Sequence, residues 1–208
     1  MKVLVVGATG LTGSIAVRLL LARGDQVTAL ARSPEAITAR PEGLRVAKGE
    51  ARDLDSLVAA VTGQDAVLST FGPREIFAKS DLQETYMRNL IDAMHKASVK
   101  RLVNLSAWGA LGSDFALNWL SRAFRGAAHN YFADKDRGEA LLLASDLDFI
   151  NARPPRLTNG PARGNLKASL DPKPLPFLPW LSREDLASFM VLQLSSDAWL
   201  RQSPLIWH

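Results

Sequence analysis

Apolar residues along this chain fall into two alternating patterns: short unbroken runs, and longer stretches with an apolar residue every three or four positions. Lys2–Val6 (KVLVV) is an unbroken run ending at Gly7, the pattern of a strand buried on both faces of a parallel sheet. Leu11–Arg23 follows with apolar residues at 11, 15, 19 and 20 and a stop at Gly24, which predicts a helix. The alternation then repeats. Strands are predicted over Gln26–Ala31, Leu44–Gly49, Asp65–Thr70, Lys100–Ser106 and Asp148–Ala152, and helices over Leu54–Val61, Asp81–Ala97 and Tyr131–Ser145. Ala107–Asn130 reads as a Trp- and Gly-containing loop with one helix. Strands that alternate with helices return by right-handed crossovers, so the expected fold is α/β, a Rossmann-like doubly wound parallel sheet.

The texture changes at Pro154. Eight of the 11 prolines lie between Pro154 and Pro204, a density that disfavours regular helix. Residues 154–181 are therefore expected to form a small Pro-rich lid or substrate lobe on a single domain, 1–208. Ser182–Leu194 opens with a serine cap and early acids and continues as an amphipathic run, which predicts a closing helix.

Composition narrows the function. With 47% hydrophobic and 22% charged residues the chain is globular rather than disordered or fibrous. It has no cysteine, which removes disulfide scaffolds, thiolate metal sites and cysteine nucleophiles, and its three histidines are scattered, so no metal is expected. The longest uncharged stretch, Val3–Val17, is broken by Gly7, Gly10 and Gly13 and falls short of the ~20 apolar residues of a membrane span. The same glycines interrupt what would be the core of a signal peptide, so the expected location is cytoplasmic. The net charge of +4 is spread over the chain, with Lys100-Arg101 the one adjacent basic pair, and predicts no nucleic-acid partner. A monomer or a dimer fits equally.

The first chemical motif is Gly7-Ala8-Thr9-Gly10-Leu11-Thr12-Gly13, between the first strand and the first helix. A glycine at the strand end permits a tight turn. One at the helix start lets backbone N–H groups approach a pyrophosphate, and a third lets helix and strand pack closely. At the end of the second strand the chain reads Leu30-Ala31-Arg32-Ser33, without the acid that would bond the adenosine ribose and repel a 2′-phosphate. Arg32 and the Ser33 hydroxyl suit that phosphate, so NADP(H) is expected rather than NAD(H). The alternative is that Arg32 is a solvated strand-end arginine.

GATGLTG resembles the glycine motif of the short-chain dehydrogenase/reductase superfamily. The likeness continues through VTALARS (27–33), GQDAV (63–67), NLIDAMHKASVKRLVNLS (89–106), ADKDRGEALLLASDLDFINARPPRLTN (133–159) and SREDLASF (182–189). These segments resemble the atypical NAD(P)H-binding group that includes biliverdin reductase B, also known as flavin reductase, and the NmrA-like regulators. The resemblance implies a Rossmann-like domain using NADPH, with Gly7, Thr9, Gly10, Leu11, Thr12 and Gly13 along the diphosphate and Arg32 and Ser33 at the adenosine phosphate. Phe71 and Gly72 would cover the cofactor, and Pro154 and Pro155 would border the nicotinamide. Gly49-Glu50 stands where the family commonly has Gly-Asp, near the adenine.

Ser106 ends the fifth strand, Tyr131 follows 25 residues later, and Lys135 lies four residues beyond on the same predicted helical face. A lysine beneath the tyrosine hydroxyl lowers its pKa, and a serine at the sheet edge reaches the same point, so the set can protonate a carbonyl oxygen as hydride arrives. It resembles the Ser, Tyr-x-x-x-Lys set of the extended members, with Gln83 where those carry an asparagine that supports the lysine. Tyr131 could equally be a core aromatic, with Lys135 at the surface or on the cofactor ribose. His129 could face substrate. Arg74, Arg153 and Arg156, near strand C-termini, could hold an acidic substrate or be solvated. Trp108, Phe115, Trp119 and Phe124 could wall a pocket for a planar substrate or belong to a packed core helix. The expected activity is an NADPH-dependent oxidoreductase passing hydride to a small-molecule acceptor: a flavin, quinone, pigment or carbonyl compound. The alternatives are a redox sensor without turnover and an epimerase or dehydratase.

Overall fold

A computed structural model describes residues 1–73, 77, 81–113, 118–172 and 178–208. Arg74, Phe115 and residues 173–177 of the Pro-rich segment lie outside the described residues. Six parallel strands form the central sheet: β1 (Lys2–Val6), β2 (Gln26–Ala31), β3 (Leu44–Lys48), β4 (Ala66–Ser69), β5 (Arg101–Leu105) and β6 (Asp148–Ala152). Their spatial order is β3-β2-β1-β4-β5-β6, the Rossmann order, whose strand direction of growth reverses between β1 and β4. Neighbours are in register, Val3 beside both Val27 and Ala66 and Val103 beside Ile150. β1 and β4 lie at the middle of the sheet, and Val3–Val6 and Ala66–Ser69 are buried throughout. That is why these strands read as unbroken apolar runs rather than as alternation.

Helices cover both faces. On one, α1 (Leu11–Ala22) packs on α6 (Arg183–Gln193), with Ala16, Leu20, Leu186 and Met190 in a core shared with Val3 and Val5. On the other, α2 (Leu54–Val61), α3 (Leu82–Lys96) and α5 (His129–Ala144) bury Leu57, Tyr86, Leu90, Met94 and Leu142 against Leu4 and Phe149. The predicted elements are all present, with several ends a residue or two shorter or longer than expected. Apolar periodicity reports burial, whereas a strand or helix ends where its hydrogen-bond ladder ends.

The Pro-rich segment holds short strands that its composition concealed. β7 (Arg156–Thr158) pairs in parallel with β9 (Trp180–Ser182), and β8 (Lys167–Ser169) pairs antiparallel with β10 (Leu205–Trp207). Each spans three residues, too few for a readable period.

Two helix starts are fastened by acids. Ser182 caps α6: its Oγ accepts from Asp185 N (3.0 Å) and donates to Asp185 Oδ2 (2.6 Å). The Asp185 carboxylate also accepts from Arg163 N (2.8 Å) and Gly164 N (3.0 Å), tying the Pro-rich segment to the helix. Burial alone would raise the Asp185 pKa, but the Ser182 hydroxyl, these two N–H groups and the nearby His208 outweigh it and hold the carboxyl below its usual value. The start of α3 has no cap from its own flank. Asp134, on α5, accepts from Gln83 N (3.0 Å) and Glu84 N (3.1 Å) instead.

Hydrogen bonds to a buried carboxylate are worth ~1.5–3 kcal/mol each, so Asp185→Asn, which replaces an acceptor oxygen by a donor, should lower unfolding stability by about that amount at pH 7. Because the folded-state pKa is depressed, the stabilisation is complete above the unfolded value and is lost as the pH falls through the folded one. Urea melts of both proteins should therefore converge on acidification below pH ~4. A gap that stays constant to pH ~2 would exclude the carboxylate as its source.

Candidate active site

The glycine turn closes over the middle of the sheet. Gly7 has φ +84°, and a Cβ there would stand 2.7 Å from Thr70 Oγ1 at the end of β4. Gly10 N donates to Gly7 O (2.9 Å), and a Cβ on Gly13 would stand 2.1 Å from that same Gly7 oxygen. Helix α1 thus begins in contact with the backbone it follows, an approach only a glycine at 13 allows. No side chain caps its start, so the N–H groups of the first turn are left to an outside acceptor. Thr9, Gly10 and Leu11 are exposed and Thr12 and Gly13 buried. The turn sits at the β1/β4 switch point, and bare N–H groups at a helix start in a side-chain-free cradle fit the diphosphate of a dinucleotide.

Arg32 and Ser33 are exposed just beyond β2. Arg40, which the sequence did not single out, donates from Nη2 to Pro34 O (2.8 Å) and so brings a second guanidinium to this corner. In sequence it is indistinguishable from any solvated loop arginine. Gly49 packs tightly beside β2, where a Cβ would stand 2.8 Å from Leu30 Cδ1, and Glu50 is exposed. Phe71 is half-buried on Tyr86, with ring centroids 4.3 Å apart, and Gly72 is exposed beside it. Gln83 Nε2 reaches Phe71 O (3.4 Å), so this glutamine supports the turn after β4.

Ser106 follows β5, its N–H bonded to Ala152 O (2.8 Å). Its Oγ is buried and has no hydrogen-bond partner among the described residues. Tyr131 is half-buried and Lys135 buried on α5, and the ammonium lies 5.6 Å from the centre of the Tyr131 ring, over its face. Among the described residues no hydrogen bond joins Ser106, Tyr131 and Lys135.

Three acids fix the helix that carries Tyr131 and Lys135. Asp134 holds α3, as above. Asp136 accepts from Leu111 N (2.8 Å) and from Arg125 Nη2 (2.7 Å), which ties α5 to helix α4 (Trp119–Ala127) and the loop before it. Glu139 is buried and takes Arg153 in a two-point ion pair, Nε at 3.1 Å and Nη2 at 2.5 Å, together with Asn151 Nδ2 at 2.5 Å. Arg153, expected as a possible substrate ligand or a solvated side chain, is neither: it is buried at 8% exposure and its charge is spent on Glu139 and Leu111 O.

Beyond the C-terminal ends of β5 and β6 opens a cleft of about 1440 Å³. Trp108, Tyr131, Phe132, Pro154 and Pro155 form one side, Leu120 and Phe124 of α4 another, and Arg156, Arg163, Leu178 and Trp180 the rim of the Pro-rich segment. A smaller pocket of about 590 Å³ lies against Leu11 and Ile15 of the first turn of α1, and Asn159, Gly160 and Pro161 line both. Helix α4 buries none of its residues, so it is a wall and not a core helix. Of the aromatics expected there, Trp108 and Phe124 line the cleft, whereas Trp119 is 70% exposed and does not. His129 is exposed at the start of α5 and is not among the lining residues.

The model of a family described as NAD(P)H-binding matches residues 7–197. The chain belongs to this NAD(P)H-binding family. Its relatives include sterol demethylase protein B of Methylococcus capsulatus, 37% identical over 120 residues, which cover 54% of this chain and 36% of that protein. An uncharacterized sugar epimerase, YhfK of Bacillus subtilis, is 26% identical over 93% of this chain and 88% of its own. Among solved structures, ChuY, an anaerobillin reductase from Escherichia coli O157:H7, superposes with a TM-score of 0.82 at 25% identity, covering 99% of this chain and 96% of that one. The NAD(P)H-binding assignment and these neighbours agree with the likeness to atypical short-chain dehydrogenase/reductases, and the family binds a nicotinamide cofactor.

In this NAD(P)H-binding protein the Gly13 contact is the most sensitive point of the turn. A backbone oxygen at 2.1 Å from the new Cβ cannot swing away as a side chain could, so Gly13→Ala must displace α1 from the end of β1. Overpacking of this kind costs ~1–3 kcal/mol, and titration of the variant with NADPH should show affinity at least ~10-fold weaker, ~1.4 kcal/mol. Retention of wild-type affinity would mean that the first turn of α1 is not where the cofactor binds.

Proposed function

We propose that the protein is an NADPH-dependent reductase that passes hydride to a small planar acceptor: a flavin, quinone, pigment or carbonyl compound. The observation that carries this reading is the meeting of two cavities at Asn159–Pro161, one along Leu11, Ile15 and Arg18 of the helix that follows the glycine turn and the other a large, mostly apolar cleft. An acceptor in that cleft would be within reach of a cofactor held by the first turn of α1. When bound, the cofactor supplies the hydride; the chain holds and aligns the two partners.

Gly7, Thr9, Gly10, Leu11, Thr12 and Gly13 hold the diphosphate, Arg32 and Ser33 the 2′-phosphate, and Phe71 and Gly72 cover the cofactor. Pro154 and Pro155 border the nicotinamide, stiffening the wall against which it packs. Ser106 and Lys135 stand behind the residues that line the cleft. We assign the Ser106 Oγ, buried without a partner among the described residues, as a hydrogen-bond donor, and the buried Lys135 ammonium as the group that favours negative charge developing near it. Tyr131 has two roles open to it. With a carbonyl acceptor its hydroxyl protonates the new alkoxide. With a flavin or pigment, whose proton comes from solvent, its ring is a wall that aligns the acceptor. The position of Lys135 over the ring rather than at the hydroxyl favours the second.

NADPH oxidation by the purified protein against flavins, quinones, bile pigments and aldehydes tests the reading directly. Turnover with none of them, despite tight NADPH binding, would replace the enzyme by a redox sensor.

A charge-assisted bond to a phosphate is worth ~1.5–3 kcal/mol, so NADPH should bind at least ~10-fold more tightly than NADH. Arg32→Ala should erase most of that difference in calorimetric titrations, and Arg32→Asp should reverse it. Equal affinities in the wild-type protein would refute the NADP preference.

Tyr131→Phe separates the two mechanisms. General acid catalysis contributes ~10²–10⁴-fold, so a carbonyl reductase would lose turnover on that scale at unchanged NADPH affinity. With a flavin acceptor we expect most activity to remain, because alignment survives the loss of the hydroxyl. A loss of ~100-fold with flavin would make Tyr131 the acid.

A further inference from the structure

From the charge of the cleft we infer that the acceptor is an anion, a flat apolar body carrying a phosphate or carboxylate group that Arg156 and Arg163 hold at the rim. This rests on the reductase reading above and adds the substrate's charge to it.

Among the described residues lining the cleft there is no aspartate or glutamate, yet there are two arginines. Arg156 is exposed and makes no ion pair among the described residues. Arg163 lies with its guanidinium carbon over the Trp180 ring, 4.4 Å from its centre, a cation–π contact that consumes none of its N–H donors. Trp180 is also the register partner of Arg156 in the β7–β9 pair. Side chains of register partners leave a sheet on the same side, so both arginines gather around one indole.

The acids nearest this rim are committed elsewhere. Asp185 is bonded to the backbone N–H groups of Arg163 and Gly164 and to the Ser182 hydroxyl. Glu184 takes both its bonds from Arg18 Nη2, at 2.8 and 2.6 Å. The third arginine of the region, Arg183, donates to Asn159 Oδ1 at 2.6 Å. Among the described residues neither Arg156 nor Arg163 has an acidic partner, and both stand beside apolar walls that focus their field. A neutral acceptor would leave them unused. A flat body against Leu120, Phe124 and Tyr131 with an anionic group toward Trp180 satisfies both halves of the cleft.

Matched pairs test this, with the NADP-loaded protein. Riboflavin and its 5′-phosphate form the phosphate pair; biliverdin dimethyl ester and biliverdin form the carboxylate pair. Dissociation constants are read by calorimetry and KM values by NADPH oxidation. We expect the anionic member of at least one pair to bind ~10-fold more tightly than its neutral twin, with the gap shrinking as salt rises. The pair that shows the gap identifies the anion. Arg156→Gln and Arg163→Gln should each cut the gap by about threefold, and the double variant should abolish it, at an unchanged circular dichroism spectrum. Equal binding of both twins in both pairs, binding of none, or a gap that survives in the double variant would each overturn the inference. The two readings fail separately. Turnover without a charge preference keeps the reductase and removes the anion, whereas a charge preference without NADPH oxidation keeps the anion site and removes the reductase.

Discussion

The contact between Gly13 and the Gly7 carbonyl is the constraint from which the functional architecture follows. With no side chain at either position, the first turn of α1 settles onto the end of β1 and beside Thr70, which follows β4. This places a bundle of free N–H groups at the switch point of the sheet, where the flanking crossovers diverge and leave a crevice. The same seating carries α1 against α6, so the core on that face and the glycine turn are set by one approach distance.

A second set of interactions serves the opposite side of the crevice. Helix α5 presents Asp134, Asp136 and Glu139 to three different neighbours: the start of α3, the loop and arginine of α4, and Arg153 with Asn151 of β6. Removing one partner of a buried pair such as Arg153–Glu139 typically costs ~3–5 kcal/mol, because the remaining charge stays buried. Such contacts have demanding geometry, and together they leave α5 little freedom to rotate. The Tyr131 ring and the Lys135 ammonium are thereby held in place before any ligand arrives, which is the condition for alignment to contribute to catalysis.

Helix α4 explains the character of the cleft between these two fixed regions. It buries none of its own residues, and Leu120 and Phe124 remain about half-exposed. It is attached by polar bonds from Arg125 to Asp136 and to Gly109 O and by an edge-on contact of Phe124 with Phe132 of α5, ring centroids 6.4 Å apart. The rest of its apolar face lines the cavity, opposite the Pro-rich segment with its arginines. An apolar wall facing a cationic rim has the character of an amphipathic cleft.

The six sheet strands and the flanking helices were legible in the sequence because each is long enough, and buried enough, to carry a period. The glycine turn was legible for a different reason: only glycine tolerates those contacts, so the requirement is written in residue type. Arg153 shows where such reading ends. Its position after β6 suited a ligand-binding arginine, but Glu139, 14 residues away on another element, takes its charge. The four strands of three residues were illegible because three residues have no period, and β10 and β8 pair across more than 30 residues of chain. Spacing likewise put Tyr131 and Lys135 on one face, yet whether an ammonium meets a ring or a hydroxyl is a matter of side-chain rotation. The sequence by itself determined the fold class, the sheet and the glycine turn, all of which rest on local periodicity and local sterics. Only the tertiary structure decided which charges are spent on each other, because charges find their partners across elements that spacing along the chain does not connect.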